Sequence, residues 1–222
     1  TFRGGKASAS RGVGLTIDEG LDLFEPDALR YALAASFPEQ SDTELTVNEI
    51  ARRINEELVA TWGNLVNRVL SMVHGTCDGV VPPVGERARN DTALLADVDA
   101  ALERVAAHID RVELRAGLQS GMAAAAAVNA YLNATEPWKA ARDDPERARV
   151  ILGTALSAVN GIRVCLSPYL PFSNASLDGI LGPVQGWCRA EVEPGRRIER
   201  PSLLFAKVDP TTLDGLVDDE PG

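Results

Sequence analysis

The sequence is short of the residues that most catalytic chemistry needs. It holds only two histidines, His74 and His108, which excludes a His-rich metal centre and an HExxH zinc site; no metal site is expected. Its three cysteines, Cys77, Cys165 and Cys188, are far apart and form no CxxC pair. An odd, scattered set argues against a disulfide framework and for a reducing, cytoplasmic setting. No uninterrupted apolar run reaches the ~18 residues of a membrane helix, because the most apolar stretch, Val150–Phe172, is broken by Thr154, Asn160 and Arg163. No membrane partner is expected. Phosphate-loop, GxGxxG and GxSxG patterns are absent; Lys6 follows Gly5, but no glycine stands five residues earlier. Position 1 is Thr and residues 1–10 are polar, so no signal peptide is expected, and the chain reads as beginning inside a longer sequence.

What is present is an ordinary globular composition. The 222 residues are 45% hydrophobic and 24% charged, with a formal net charge of −10, enough apolar surface to bury a core. Charge is unevenly spread. Residues 1–17 carry Arg3, Lys6 and Arg11 and no acid, whereas residues 18–50 carry nine acids against Arg30. A basic, anion-facing loop tied to an acidic helical layer is the reading this pattern supports.

Apolar periodicity places the helices. A loop leads to a short strand over 13–17. Asp18 is the expected N-cap of a short helix to Phe24. Pro26 opens a second helix to about Ser36, with Leu29 and Leu33 on one face. A turn over 42–46 precedes a long helix from Val47 to about His74, with Gly75 as its stop. Asn90 or Asp91 caps the next helix, to about Leu114. Another covers 119–133 with five consecutive alanines, the best helix former. Pro137-Trp138 opens a short helical turn, and Asp144-Pro145 starts a helix to Leu166. A short helix over 173–181 follows, then an alternating stretch near 189–192 and the acidic tail Asp218-Asp219-Glu220. Long helices on short connections predict a mainly α fold, an antiparallel helical bundle.

Two features carry possible chemistry. Gly4–Gly12 combines small residues with Lys6 and Arg11; backbone amides and cations of this kind can cradle phosphate, and a plain linker is the competing reading. Trp138 follows a helix break, and Asn64, Asn67, Arg68, Ser71 and His74 line the end of the long helix. A tryptophan with hydrogen-bonding neighbours suits an unstacked nucleic-acid base. A core tryptophan with Asn67 as a cap is the alternative.

These features stand in an order that resembles the C-terminal half of methionyl-tRNA synthetases, class I aminoacyl-tRNA synthetases. Gly5–Gly12 resembles the family's KMSKS loop, and Asp27-Ala28-Leu29-Arg30-Tyr31 its DALRYYL element. Trp62–Arg68 is similar to the start of its anticodon-domain helix, Asn129-Ala130-Tyr131 through Pro137-Trp138 to its N-x-Y-x5-P-W helix end, and Leu204–Asp209 to its terminal LFPKID segment. The resemblance implies three parts: 1–45, the end of the catalytic domain with this loop and a short α/β stem-contact fold; 46–200, the helical anticodon-binding domain; and 201–222, an extension with an acidic tail.

It implies a ligase that activates methionine with ATP and Mg2+ and transfers it to tRNA(Met), with no DNA partner. Lys6, Ser8 and Ser10 would face the ATP phosphates. Trp138 would stack on an anticodon base, with Asn67, Arg68, Ser71 and His74 as further RNA contacts. Two departures stand out. The loop's second lysine is Ala9, and positive charge opposite developing negative charge is a large catalytic term. An Asn and Arg pair used by some members falls on Ser71 and Gly75. A stand-alone tRNA-binding module or a paralogue with impaired activation is the alternative reading. No HIGH-type motif is present, so these residues alone are expected to bind tRNA and not to activate methionine. ATP–pyrophosphate exchange assayed with the 222-residue chain should stay at background; measurable exchange would contradict the assignment of parts.

Overall fold

The computed structural model describes residues 16–39, 45–199 and 202–213. The helices are α1 (Ile17–Leu23), α2 (Pro26–Ala35), α3 (Val47–Arg53), a π-helical segment (Ile54–Gly63), α4 (Asn64–Thr76), α5 (Arg89–Asp110), α6 (Leu114–Thr135), α7 (Pro137–Asp143), α8 (Pro145–Leu166) and α9 (Pro171–Leu181), with a 3₁₀ turn at Pro210–Leu213. Among the described residues there is no strand, only an isolated antiparallel bridge between Val80 and Arg197. The fold is the expected helical bundle. The loop over 4–12, the turn over 42–44 and the acidic tail lie outside the described residues.

Several local expectations shift, each for a physical reason. Thr16, not Asp18, caps α1: it accepts from Glu19 N, and Glu19 reaches back to Thr16 N at 2.8 Å, a reciprocal pair that satisfies two orphan amides. Ile17, placed in a strand by the sequence reading, is thereby the first residue of α1. In α2, Leu29 is buried but Leu33 is 48% exposed. The buried arc centres on Ala28, Tyr31, Ala32 and Ala35, where alanines admit neighbouring helices closely. Gly75 does not stop the long helix, which runs on to Thr76. The reversal comes at Asp78 and Gly79, both left-handed, and a Cβ on Gly79 would lie 3.0 Å from Ile198 O. Helix α5 ends at Asp110, and α6 begins earlier than expected because the Glu39 carboxylate accepts from Arg115 N at 2.6 Å, capping α6 from 76 residues away. Helix α9 opens at Pro171 rather than Ser173. The alternating stretch near 189–192 is loop, held by Arg189 against Asp99.

One core runs from Phe24 to Phe205. Helix α8 is its axis, buried along nearly its full length. By length and composition α8 is apolar enough to cross a membrane, but 83% of its most apolar window is buried inside the bundle, so its apolarity is spent on helix packing. Helices α6 and α8 approach closely because Gly121 has no side chain; a Cβ there would lie 2.8 Å from Leu166 Cδ2.

The bundle is locked at one end by a buried carboxylate. Asp91, fully buried, accepts from Tyr131 Oη at 2.7 Å, Arg147 Nη2 at 2.7 Å, Arg147 Nη1 and Ala88 N at 2.8 Å. This ties the start of α5, the end of α6 and the start of α8. Burial opposes the charge and is the largest single influence; together the Arg147 guanidinium, the Tyr131 hydroxyl and the Ala88 amide outweigh it and hold the carboxyl below its ordinary range. At the other end, Asp27 of α2 accepts from Ser173 N at 2.7 Å, capping α9, while Arg30 donates to Pro168 O at 2.8 Å and Tyr169 O at 3.0 Å in the α8–α9 turn.

Removing one partner of a buried charge leaves the other uncompensated, so Asp91→Ala should lower unfolding free energy by about 3–5 kcal/mol. Tyr131→Phe, which deletes one donor, should cost about 1–2 kcal/mol. The unfolded Asp91 takes a proton at higher pH than the folded one. Its contribution is therefore complete above the ordinary carboxylate range and is lost as pH falls from that range through the lower folded-state value. Urea titrations across acidic pH should show a shallower acid limb in Asp91→Asn than in the parent.

Candidate nucleic-acid interface

The candidate surface is built on three helix ends. Helix α4 carries Leu65, Val66, Val69, Leu70 and Val73 inward. At 100° per residue this leaves Asn64, Asn67, Arg68, Ser71 and His74 on one outward face. Asn64, Ser71 and His74 are exposed, and Asn67 and Arg68 are half-buried. Helix α6 ends because Glu136 adopts a left-handed backbone (φ 44°) before Pro137, which occupies the first turn of α7. Proline disfavours the right-handed helical conformation in the residue before it and fits the first helical turn itself. Pro137 is buried, and the next residue, Trp138, projects with 40% of its surface exposed. Asp144 closes α7 and caps α8 by accepting from Arg147 N at 3.1 Å. The same Arg147 grips Asp91, so the short helix bearing the tryptophan is anchored to the buried ion pair.

Among the sequence-derived candidates, Arg68 and Trp138 come together. The Arg68 guanidinium carbon lies over the indole, 5.1 Å from the ring centroid, a cation–π pair. The guanidinium also donates to Asn133 Oδ1 at 2.9 Å. Asn67 and Ser71 flank Arg68 on the α4 face. His74 lies about 9 Å further along the helix, packed beside Gly79. Lys6, Ser8, Ala9 and Ser10 lie outside the described residues.

Two residues of this surface were not singled out in the sequence. Arg142 stands one turn after Trp138 on α7, exposed, with no ion-pair or hydrogen-bond partner among the described residues. The i, i+4 spacing was a readable signal. Neighbouring Lys139, by contrast, is paired with Glu136 at 2.7 Å. Asn133 had no local signal, since its partner Arg68 is 65 residues away. The result is an exposed aromatic plate with one cation over it and a second, unpaired cation beside it. Such a surface can stack a planar base and attract phosphate. Because Trp138 is exposed and outside the core, Trp138→Ala should leave the thermal unfolding midpoint in place, as differential scanning calorimetry can check.

Comparison with known proteins agrees with this architecture. The profile of tRNA synthetases class I (M) matches residues 1–70, and that of the anticodon binding domain of methionyl tRNA ligase matches residues 81–217. The methionine–tRNA ligase of Corynebacterium jeikeium (strain K411) is 36% identical over 255 residues, covering 95% of this chain and 42% of that protein. The one from Roseiflexus castenholzii (strain DSM 13941 / HLO8) is 38% identical over 239 residues, covering 94% of this chain and 40% of that protein. Among solved structures, Mycobacterium tuberculosis methionyl-tRNA synthetase in complex with methionyl-adenylate superposes with a TM-score of 0.83 at 30% identity, covering 92% of this chain and 42% of that one. The chain thus spans about two fifths of the length of the relatives it matches. The second profile takes in more than half of the 222 residues, and by it the chain belongs to the methionyl-tRNA synthetase family, carrying that family's anticodon-binding domain.

Proposed function

We propose that this chain is the tRNA-reading part of a methionine–tRNA ligase, and that Trp138 receives an unstacked anticodon base of tRNA(Met). The observation that carries the reading is the exposed indole on a helix break, with Arg68 over it and Arg142 beside it. Loop bases can be splayed out and stacked on an aromatic side chain, and each stacked base contributes about 1–3 kcal/mol. Asn67, Ser71 and His74 extend the same face and would supply hydrogen bonds to the loop. Arg142 would meet backbone phosphate.

The division of labour follows. Residues up to about 45, with Lys6, Ser8 and Ser10, would belong to the ATP side of the complete enzyme, where methionine is activated with ATP and Mg2+. Residues 46–200 would read the tRNA, and the described part of the 201–222 extension, 202–213, would fasten the bundle. Phe205 against Gly63 and the paired bonds between Asn55 and Val208 fit that fastening role. Ala9 in place of a lysine implies slower activation unless another cation serves. A cytoplasmic setting fits the three free thiols.

The test is a fluorescence-anisotropy titration of the 222-residue chain with a stem-loop RNA bearing CAU, against the same RNA with the triplet replaced. CAU should bind more tightly, and Trp138→Ala should weaken it roughly ten- to a hundredfold while erasing the preference. Equal affinity for both loops, or an unaffected Trp138→Ala, would overturn the reading. In the same assay Arg142→Ala should reduce the log–log salt slope by about 0.7, the share of one single-strand phosphate contact.

A further inference from the structure

The Arg68–Trp138 pair has a sidedness that a bare tryptophan lacks. The guanidinium covers one face of the indole at 5.1 Å. Arg68 is not free to swing, because its Nη2 is bonded to Asn133 Oδ1 at 2.9 Å. Asn133 itself is exposed at the last turn of α6, next to the Glu136–Pro137 break that aims Trp138. Three elements, α4, the end of α6 and the start of α7, thus meet through one hydrogen bond and one cation–π contact.

We propose that Arg68 forms the fixed back wall of a one-sided stacking platform, and that Asn133 is the positioning residue that holds it there. A base then has one indole face to stack on, and the ring is sandwiched between base and guanidinium. A planar, delocalised cation can lie flat on an indole where an ammonium cannot. Pinning it in advance removes ordering cost at the moment of binding. One-sidedness also fixes which way the stacked base faces. Its hydrogen-bonding edge is then presented at a set position relative to Asn67 and Ser71, which is how a sequence-tolerant stacking contact can serve discrimination. The sidedness concerns the free protein; its role in selecting a base rests on the RNA-binding reading above.

The two claims are separable by experiment. In the free chain carrying Trp187→Phe, the emitting tryptophans are buried Trp62 and exposed Trp138. Acrylamide quenching then reports access to the Trp138 faces without any RNA. Asn133→Ala should raise quenching to the level of Arg68→Ala, and Asn133→Asp, which keeps an acceptor for the guanidinium, should restore the protected value. Quenching unchanged by Asn133→Ala would overturn the positioning role whether or not RNA binds.

With the CAU stem-loop, Asn133→Ala should weaken binding roughly three- to tenfold, the scale of one ordinary lost hydrogen bond at an exposed position. It should add less than about twofold when Arg68 is already alanine, because coupled residues do not act additively. The triplet preference should shrink in parallel. Full, additive loss in the Arg68→Ala background would overturn the proposal and leave Asn133 as an independent RNA contact. If Trp138→Ala itself bound as the parent does, the RNA-binding reading would fall, and the quenching result would still decide the geometry.

Discussion

The buried carboxylate of Asp91 is the constraint on which the rest of the bundle depends. It takes every donor within reach: a tyrosine hydroxyl, both ends of a guanidinium and a backbone amide. A charge without water is tolerable only when it is saturated in this way. Saturation forces the ends of α5, α6 and α8 into one place, since each contributes a donor or the acceptor. Helix α7 is strung between two of those helices on single-residue joints, Glu136 and Asp144. Its position is therefore a consequence of the ion pair, and Trp138 inherits it. Helix α8 then runs about 33 Å as a buried rod of 22 residues to the turn held by Arg30 and Asp27. The segment that follows the basic loop and the helix end that carries the tryptophan are thus attached to opposite ends of one stiff element.

The segments that carry the family resemblance are mostly joints. Asp27 and Arg30 clasp the α8–α9 turn, and Tyr31 bonds Glu57 of the π-helical segment at 3.1 Å. Trp62 is fully buried, and Gly63 makes room for Phe205. Asn129 reaches Thr61 O at 3.3 Å, and Tyr131 bonds Asp91. Val208 exchanges two hydrogen bonds with the Asn55 amide. These residues specify how the helices meet. The outward-facing Arg68 and Trp138 belong to the same segments and are the ones the proposed function uses. That explains why the architecture was readable from the sequence with more certainty than the site.

Helix existence was legible because 3.6-residue periodicity and Pro or Asp starts are local signals. Apart from the α1 cap, a local Thr16–Glu19 pair, the main misplacements have a different origin. The α6 start depends on Glu39, 76 residues away, and the buried pair joins Asp91 to Arg147 across 56. The Arg68–Asn133 bond spans 65 residues. None leaves a mark in a window of a dozen residues. Gly75 was a plausible stop by type, yet the chain turned where Asp78 and Gly79 both reach positive φ. Leu33 was apolar and in register but lost its place to small alanines that let neighbouring helices closer. Tertiary packing overrode local preference in each case.

On the RNA-reading proposal, a chain of net charge −10 has an electrostatic problem to solve. Its overall field repels phosphate and suppresses the sequence-independent attraction that dominates most nucleic-acid binding. Many arginines are already committed internally: Arg52 and Arg53 to the Glu49–Glu57 ladder, Arg147 to Asp91, Arg163 to Asp178, Arg189 to Asp99. What remains beside Trp138 is Arg68, spent on the indole, and Arg142, unpaired among the described residues. Affinity must then come from short-range contacts that need a base in the right place, not from counterion release along a stem. On that reading an acidic body with one stacking plate would bind weakly to any RNA that cannot present the base, and discrimination would be the arrangement's physical consequence.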